Sequence, residues 1–496
     1  MDTTIFRKVA LVLGPCLALA VFLVLPAQAG PDAGGLSAAG RATAAIAAWM
    51  ALWWLTEAVP LAATALLPVT LFPLLGVVDT GTAAAPYASP LIFLFLGGFL
   101  IGLAIQRFGL HRRIALHILL LVGTSPRRLI AGFMLVSALL SMWISNTATA
   151  IMMLPIGTSI LVMLDEEQAR SPESERTCSP GDMAAFSNAL VLGIAYACSI
   201  GGIGTLIGTP PNLVLAAFLQ SHYGVEVTMA RWLGVGLPLV AILLPATWWY
   251  LTRVAFKVPD KPLPCGREVI EGELRNLGDM DRAERIVLLV FAATATAWIL
   301  RPQLVAWTGL SGLNDTVIGM LGALSLFVIP LGGTSGGRLM DWKTARKVPW
   351  EILILFGGGL SLAAAIAANG VDAFIGSGLS ALSGVPVLVL VLVVALGVIF
   401  LTEITSNTAV ATSLMPVLAA TAAATGAPAG MLLTAAAMAA SCAFMLPVAT
   451  PPNAIVFASG YTTVARMARA GLWLNIGAAL VIALVVFLGA RLVIAS

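Results

Sequence analysis

Two polar motifs that could bind ions each occur twice in this otherwise apolar chain. Ser-Asn-Thr stands at 145–147 and again at 406–408, and Thr-Pro-Pro-Asn stands at 209–212 and again at 450–453. Hydroxyl and amide groups act as donors or acceptors, so the first motif can bind a carboxylate or a cation. Consecutive prolines interrupt a helix, because proline lacks the N–H and its ring clashes with the preceding turn. A helix broken inside a membrane offers free carbonyls at one break end and free N–H groups at the other, which suit a cation and an anion.

The motifs carry no positive charge of their own, since no Lys, Arg or His lies within either pair. An anion bound there would be held by neutral donors and helix N-termini. Bound cations would then supply the balancing charge, which favours co-transport. Taken singly, Ser-Asn-Thr is typical of a helix-packing contact and Pro-Pro of a kink. The recurrence of both motifs together favours a binding site instead.

The composition indicates which elements must position these motifs. Of the 496 residues, 59% are hydrophobic and only 10% are charged, whereas soluble domains contain about 25% charged residues. We therefore predict an all-α polytopic membrane protein embedded in a lipid bilayer. A net charge of +3, spread along the chain, argues against a nucleic-acid partner. Three histidines, and five cysteines without a CxxC spacing, offer little material for a catalytic or metal centre, so we predict no enzyme.

Basic residues predict the path of the chain through the membrane. All but four of the 26 Lys and Arg residues can lie on the cytoplasmic side of a path with eleven transmembrane helices, a cytoplasmic N-terminus and an outside C-terminus. The apolar run at 9–25 imitates a signal peptide, but we interpret it as the first span. Segments 129–164 and 375–425 do not cross in this path. We predict that they are re-entrant helical hairpins, entering from the cytoplasm and from outside respectively.

An internal repeat supports this path. From Phe95 to Pro155, residues match those from Phe356 to Pro416 at one constant spacing. Basic residues flank the first copy, whereas 348–465 has no Lys or Arg. The two copies are therefore expected to face opposite ways, as in the inverted repeats of secondary transporters, with the substrate near the membrane midplane.

The chain resembles the divalent anion/sodium symporter family, the sodium-coupled di- and tricarboxylate transporters. The resemblance lies in both motif pairs and in Trp-Trp-Leu-Thr-Glu-Ala-Val-Pro at 53–60, and it extends over nearly the whole chain. It implies a homodimer of elevator-type protomers, each with a fixed scaffold and a moving transport domain. The corresponding segments are scaffold 1–128 and 286–374, transport domain 129–255 and 375–496, and a cytoplasmic linker helix at 256–285.

The resemblance also implies the ligands. Sodium 1 would be bound by Ser141, Ser145, Asn146 and the carbonyl of Gly208, and sodium 2 by Thr402, Thr405, Asn407 and the carbonyl of Ala449. The substrate carboxylates would contact Ser145, Asn146, Thr147, Thr209 and Pro210 from the first copy, and Ser406, Asn407, Thr408, Thr450 and Pro451 from the second. Ile144 occupies the position equivalent to Thr405, so the two sodium sites need not be equally tight.

These features together predict a sodium-coupled importer of C4-dicarboxylates such as succinate, malate or fumarate in a bacterial-type inner membrane. An anion exchanger, or a citrate or sulfate transporter of the same fold, is the alternative, because no motif residue selects the anion. An intramembrane enzyme is disfavoured, since the sequence lacks a catalytic constellation. Glu403 lies between Thr402 and Thr405, and an intramembrane carboxylate is a functional candidate. Two roles stay open for it, adjusting cation affinity and carrying a proton.

Overall fold

A computed structural model describes residues 3–28, 35–123, 125–170, 179–259, 266–331, 337–378 and 384–494. These ranges contain α-helices, a 3₁₀ turn at Ala85–Ala88 and a π-helical turn at Tyr250–Ala255, and they contain no β-strand. The predicted all-α class is therefore confirmed. Residues 260–265 of the predicted linker, and residues 171–178 between the two motifs of the first copy, lie outside the described residues.

The helices are numbered in chain order. The first half of the chain contains α1 (Thr3–Val24), α2 (Ala38–Thr56), α3 (Leu61–Thr64), α4 (Leu67–Leu74), α5 (Thr80–Ala84), α6 (Pro90–Arg107), α7 (Leu110–Val122), α8 (Pro126–Ser141), α9 (Asn146–Arg170), α10 (Pro180–Ile203), α11 (Pro210–Tyr223) and α12 (Met229–Trp249). The second half contains α13 (Gly266–Leu277), α14 (Arg282–Ile299), α15 (Arg301–Thr308), α16 (Asp315–Val328), α17 (Trp342–Ala345), α18 (Trp350–Ala368), α19 (Val371–Gly378), α20 (Val387–Thr402), α21 (Asn407–Thr425), α22 (Ala429–Ala439), α23 (Pro451–Ala458) and α24 (Val464–Ile494).

Many of these helices are apolar enough to lie in a bilayer. Within the described ranges, eight are also long enough to cross it, and α14 with α15, bent by 83°, makes a ninth if taken as one span. Four shorter apolar segments accompany them: Leu61–Leu74, Asp315–Val328, Val387–Thr402 and Ala429–Ala439. The multi-pass membrane architecture is thus confirmed. The count of eleven stays a prediction, because it also depends on which of the shorter segments cross.

Both copies of the repeat fold into the same order of elements. Four residues separate the end of α8 from the start of α9, and four separate α20 from α21, so each Ser-Asn-Thr lies at the start of a helix. Each Thr-Pro-Pro-Asn also begins a helix, α11 or α23, after a break in the chain. Proline suits the first helical position because its missing N–H has no partner to lose there. The interruptions predicted at Pro-Pro are present.

The helices around the motifs pack closely on one another. α8 packs along α10, α20 packs against α22 and α24, and α12 packs against α10 and α24. Gly201 permits the closest approach of α8 to α10, since a Cβ there would come within 2.3 Å of the Ala138 carbonyl oxygen. A second core joins α2, α3 and α4 to α18 and includes Ala409 of α21.

The predicted linker contains one helix, α13, which docks on α7. Arg112 forms an ion pair with Glu273 of α13. Arg113 donates to the Gly278 carbonyl oxygen at 2.8 Å and pairs with Glu284 at 2.9 Å. Because the Arg113 and Glu284 side chains are only 11% and 6% exposed, this pair is screened less by salt than a surface pair. The end of the linker is therefore fixed to α7.

Candidate functional site

The first cluster of polar atoms lies where the α8–α9 connection meets the break between α10 and α11. The fully buried Ser141 Oγ lies 2.5 Å from Asn146 Oδ1 and 2.7 Å from the Cys198 carbonyl oxygen. A Cβ on Gly202 would come within 2.7 Å of Asn146 Oδ1 and 3.2 Å of the Gly208 carbonyl oxygen. Both oxygens therefore border one glycine, and three of the four ligands expected for sodium 1 lie together.

The fourth expected ligand of that site, Ser145, lies in the connection between α8 and α9. Its side chain is exposed, and its Oγ accepts the Ala148 N–H at 3.3 Å. This bond caps the start of α9 and leaves the second lone pair of the hydroxyl free for a ligand. Ser145 directly precedes Asn146, a member of the cluster, in the chain.

The second cluster lies where the α20–α21 connection meets the break between α22 and α23. The fully buried Thr402 Oγ1 lies 2.6 Å from Asn407 Oδ1 and 3.2 Å from the Ala440 carbonyl oxygen. Thr405 is half-buried, and its hydroxyl donates to the Leu401 carbonyl at 2.9 Å. A hydroxyl whose hydrogen is used in this way presents only lone pairs to a ligand.

The last residue of each Thr-Pro-Pro-Asn holds its break in an equivalent way. Each buried amide nitrogen donates to two carbonyl oxygens over 2.8–3.2 Å, Asn212 to those of Gly202 and Thr205, and Asn453 to those of Ala443 and Leu446. The acceptors occupy matching positions in the two copies. Among the described residues, neither amide Oδ1 has a hydrogen-bond partner.

In both clusters the oxygen atoms outnumber the hydrogen atoms that could form hydrogen bonds between them. The single hydroxyl hydrogen of Ser141, or of Thr402, has two oxygen neighbours within 3.2 Å and can bond well to only one. Oxygens gathered without enough donors repel one another unless a cation lies among them. Small hard cations prefer oxygen ligands of this kind. The oxygen ligands in both clusters therefore fit a sodium ion.

The residues expected to bind substrate lie at helix starts around the two clusters. Thr209 and Thr450 are buried N-cap residues of α11 and α23, and the prolines after them are the first residues of those helices. Exposure differs among the rest: Ser145 and Pro451 are exposed, Asn146, Thr147, Pro210, Ser406 and Asn407 are half-buried, and Thr408 is buried. The N-termini of α9, α11, α21 and α23 lie at these residues, and helix N-termini are suited to anion binding.

Two contacts join the first break to the second. Thr209 Oγ1 lies 3.3 Å from Ser441 Oγ, and the Tyr196 hydroxyl donates to the Phe444 carbonyl at 2.7 Å. All four residues are buried. The sequence analysis missed Ser441 and Tyr196 because neither belongs to a motif. The available signal was a lone serine in the apolar run before the second break.

Glu403 is a charged side chain whose contacts also involve the second break. It is 3% exposed, and its Oε1 accepts from the N–H groups of Phe444 at 2.7 Å and Met445 at 2.8 Å and from Asn475 Nδ2 at 2.7 Å. Its Oε2 accepts the Leu446 N–H at 2.9 Å. The sequence drew attention to Glu403 but could not reveal these partners, which come from the second break and from α24.

Comparisons with known proteins extend over nearly the whole chain. The sodium:sulfate symporter transmembrane region matches residues 11–495. The sodium-dependent dicarboxylate transporter SdcS of Staphylococcus saprophyticus is 44% identical over 483 residues, and SdcS of Staphylococcus aureus strain USA300 is 41% identical; each alignment covers 97% of this chain and 91% of the relative. The crystal structure of the Alcanivorax borkumensis YdaH transporter has a similar fold, with a TM-score of 0.57 and 15% identity over 99% of this chain and 100% of that one.

Proposed function

The chain belongs to the sodium:sulfate symporter family, the divalent anion/sodium symporters that its motifs resemble, and we propose that it is a sodium-coupled dicarboxylate symporter. The observation that carries the proposal is the pair of oxygen clusters around Asn146 and Asn407, built alike and short of donors. Membership in a transporter family agrees with the prediction that the protein is not an enzyme. The proposed cargo is a C4-dicarboxylate such as succinate, malate or fumarate, and the proposed location is the plasma membrane of a bacterium.

Coupling follows from the charge of the site. A dicarboxylate brings two negative charges to motifs that contain no Lys, Arg or His. Helix N-termini at Thr209 and Thr450 offer partial positive charge, which offsets only a fraction of that. Two sodium ions in the oxygen clusters would supply the remainder at short range, where a low effective dielectric makes the attraction strong. Sodium therefore binds first and prepares the pocket for the dianion.

The proposed transport cycle moves the oxygen clusters across the membrane with the helices that carry them. We assign α8 to α12 and α20 to α24 to the transport domain, and α1 to α7 with α14 to α18 to the scaffold of a homodimer. The mutual packing of α8, α10, α12, α22 and α24 supports the first group, and the core between α2–α4 and α18 supports the second. The proposed architecture has eleven spans, two inverted re-entrant hairpins, a cytoplasmic N-terminus and an outside C-terminus.

The decisive experiment is uptake of labelled succinate by proteoliposomes that contain the purified protein. We expect accumulation with an inward sodium gradient and none when potassium replaces sodium. Uptake that ignores sodium would contradict symport. Competition by malate, fumarate, citrate and sulfate then identifies the preferred anion. Efflux of label that requires external anion would favour the exchanger instead.

A further inference from the structure

We propose that Glu403 is the positioning residue of the second sodium site, where its carboxylate fixes the backbone of residues 444 to 446 beside the expected ligands and adds a negative charge that the first site lacks. The inference rests on the proposed sodium symport and names the residue that makes the two cation sites unequal.

The hydrogen bonds around Glu403 are those of a built anion site. Three consecutive backbone N–H groups, of residues 444 to 446, converge on the carboxylate at 2.7–2.9 Å, and Asn475 adds a fourth donor at 2.7 Å. Successive N–H groups arranged in this way form an anion-binding nest. Hydrogen bonds to an ionised acceptor are about twice as strong as neutral ones. The carboxylate therefore determines the course of the backbone at the second break.

The backbone just before the residues that Glu403 holds contacts Thr402, an expected cation ligand. The Ala440 carbonyl lies 3.2 Å from Thr402 Oγ1, and the Ala443 carbonyl accepts from Asn453 at 3.0 Å. Thr402 directly precedes Glu403 in the chain. A displacement of residues 444 to 446 would shift these oxygens, so Glu403 acts on the cation through its neighbours and need not touch it.

The surroundings of Glu403 favour a nearby cation. It is 3% exposed, its four donors are all neutral, and no Lys or Arg occurs in 348–465. A buried charge without an opposite charge is costly. A sodium ion at the Thr402 and Asn407 oxygens offsets that cost, so part of its affinity comes from the carboxylate.

The first copy has no equivalent charge. The position of Glu403 is occupied by Met142, and that of Leu446 by Thr205. The same pair of positions is in contact, but through neutral groups, because Thr205 Oγ1 donates to the Met142 carbonyl at 2.5 Å. Only the second copy therefore gains electrostatic attraction for sodium from this contact.

The hydrogen-bond pattern also separates the two roles left open for Glu403. Oε1 accepts three N–H groups and Oε2 accepts one. An ionised carboxylate has enough lone pairs for all four, whereas a protonated carboxyl would add a hydrogen although all four of its hydrogen-bond partners are donors. The contacts therefore favour the role in cation affinity over the role in carrying a proton.

The test compares Glu403→Gln and Glu403→Asp with the wild-type protein in proteoliposomes. Gln keeps the size and removes the charge, so we expect the half-saturating sodium concentration to rise about tenfold, with the succinate KM at saturating sodium changed less than about twofold. Asp keeps the charge and should lie nearer the wild type. Glu351→Gln, which alters an exposed carboxylate at the start of α18, is the matched control and should change neither value.

A second readout needs no transport. Sodium should raise the Tm of the purified wild type in the absence of substrate, and the sodium concentration for half of that rise should shift with the Gln variant as uptake does. If Glu403→Gln does not fold, Asn475→Ala removes one donor from Oε1 and should raise the half-saturating sodium about threefold.

The outcomes separate the inference from the function on which it rests. Wild-type uptake without sodium dependence overturns the symport itself. The role of Glu403 is overturned if wild-type uptake depends on sodium but Glu403→Gln leaves the sodium requirement unchanged. If Glu403→Gln does not fold, the same result in Asn475→Ala overturns it. Two further results would overturn the role of Glu403. One is a lower yield of folded Glu403→Gln whose folded fraction has the sodium affinity of the wild type. The other is a proton flux that Glu403→Gln alone among these variants abolishes.

Discussion

The two oxygen clusters share a plan and differ in how each is held. In both, a hydroxyl at the end of one helix lies within 2.6 Å of an asparagine oxygen at the start of the next, and a second asparagine holds the break. The first copy has Gly202 and Gly208 where the second has Ala443 and Ala449. The first is joined by a neutral hydroxyl and the second by the carboxylate of Glu403.

This difference shows that a duplicated motif can place similar oxygen atoms in both copies although the contacts that support those atoms differ. In the first copy the cluster is tight because glycines have no side chains, so that two backbone segments are in direct contact. A Cβ on Gly208 would lie 2.4 Å from the Gly202 carbonyl oxygen. The second copy keeps the methyl groups of alanine and uses a buried charge to draw in the backbone. Close approach of the backbone supports the first cluster, and electrostatic attraction to Glu403 supports the second.

The largest effect is expected where the copies are the same. Asn146→Ala and Asn407→Ala each remove the amide oxygen beside the buried hydroxyl, and losing one ligand of a desolvated cation should lower sodium-driven uptake at least about a hundredfold. The purified variants should keep the oligomeric state of the wild type in size-exclusion chromatography. Normal uptake in both variants would contradict the site assignment, and normal uptake in one would show that only one copy binds a coupled ion.

An intermediate effect is expected where the copies differ in size. Gly202→Ala places a methyl group 2.7 Å from Asn146 Oδ1, which must then move away from Ser141. We expect the half-saturating sodium concentration to rise about thirtyfold, equivalent to about 2 kcal/mol.

The reciprocal change in the second copy provides the control for that variant. Ala443→Gly removes a methyl group and adds none, so sodium activation should stay within about twofold of the wild type, with at most about 1 kcal/mol lost from stability. Equal sodium requirements in both variants would show that close approach of the backbone is not what the first site depends on.

The smallest effect is expected at the neutral contact of the first copy. Thr205→Val removes the hydroxyl that donates to the Met142 carbonyl at 2.5 Å, at a cost of about 1 kcal/mol. Maximal uptake should fall about fivefold, and Thr205→Ser should restore most of it. The sodium requirement should change less than in Glu403→Gln. A larger change would remove the distinction between a charged and a neutral support.

Much of this molecule could be predicted from its sequence because the relevant signals are local. Apolar runs indicate membrane helices, Pro-Pro indicates where two of them break, and Ser-Asn-Thr indicates a polar turn. Each signal depends on residues within one segment. The repeated spacing of the motifs adds the expectation that Asn146 and Asn407 serve the same purpose, and their hydroxyl partners, Ser141 and Thr402, are where the repeat places them.

The remaining contacts could not be predicted because they join distant segments in an apolar background. Asn475 and Glu403 lie far apart in the chain and belong to no shared motif, yet their side chains are 2.7 Å apart. Thr209 and Ser441 meet across the two copies in the same way. The lengths of the spans were equally hard to predict from the sequence, since broken helices such as α22 are too short to cross a bilayer.

By itself the sequence predicted the chemistry of the ligands, since hydroxyls, amides and prolines in motifs that contain no Lys, Arg or His favour a binding site at a broken helix. The tertiary structure decided which backbone oxygens stand beside them and that a buried carboxylate supports only one of the two clusters. The physical reason is that hydrogen-bond donors and acceptors are properties of residues, whereas burial and distance arise only when separate helices pack together.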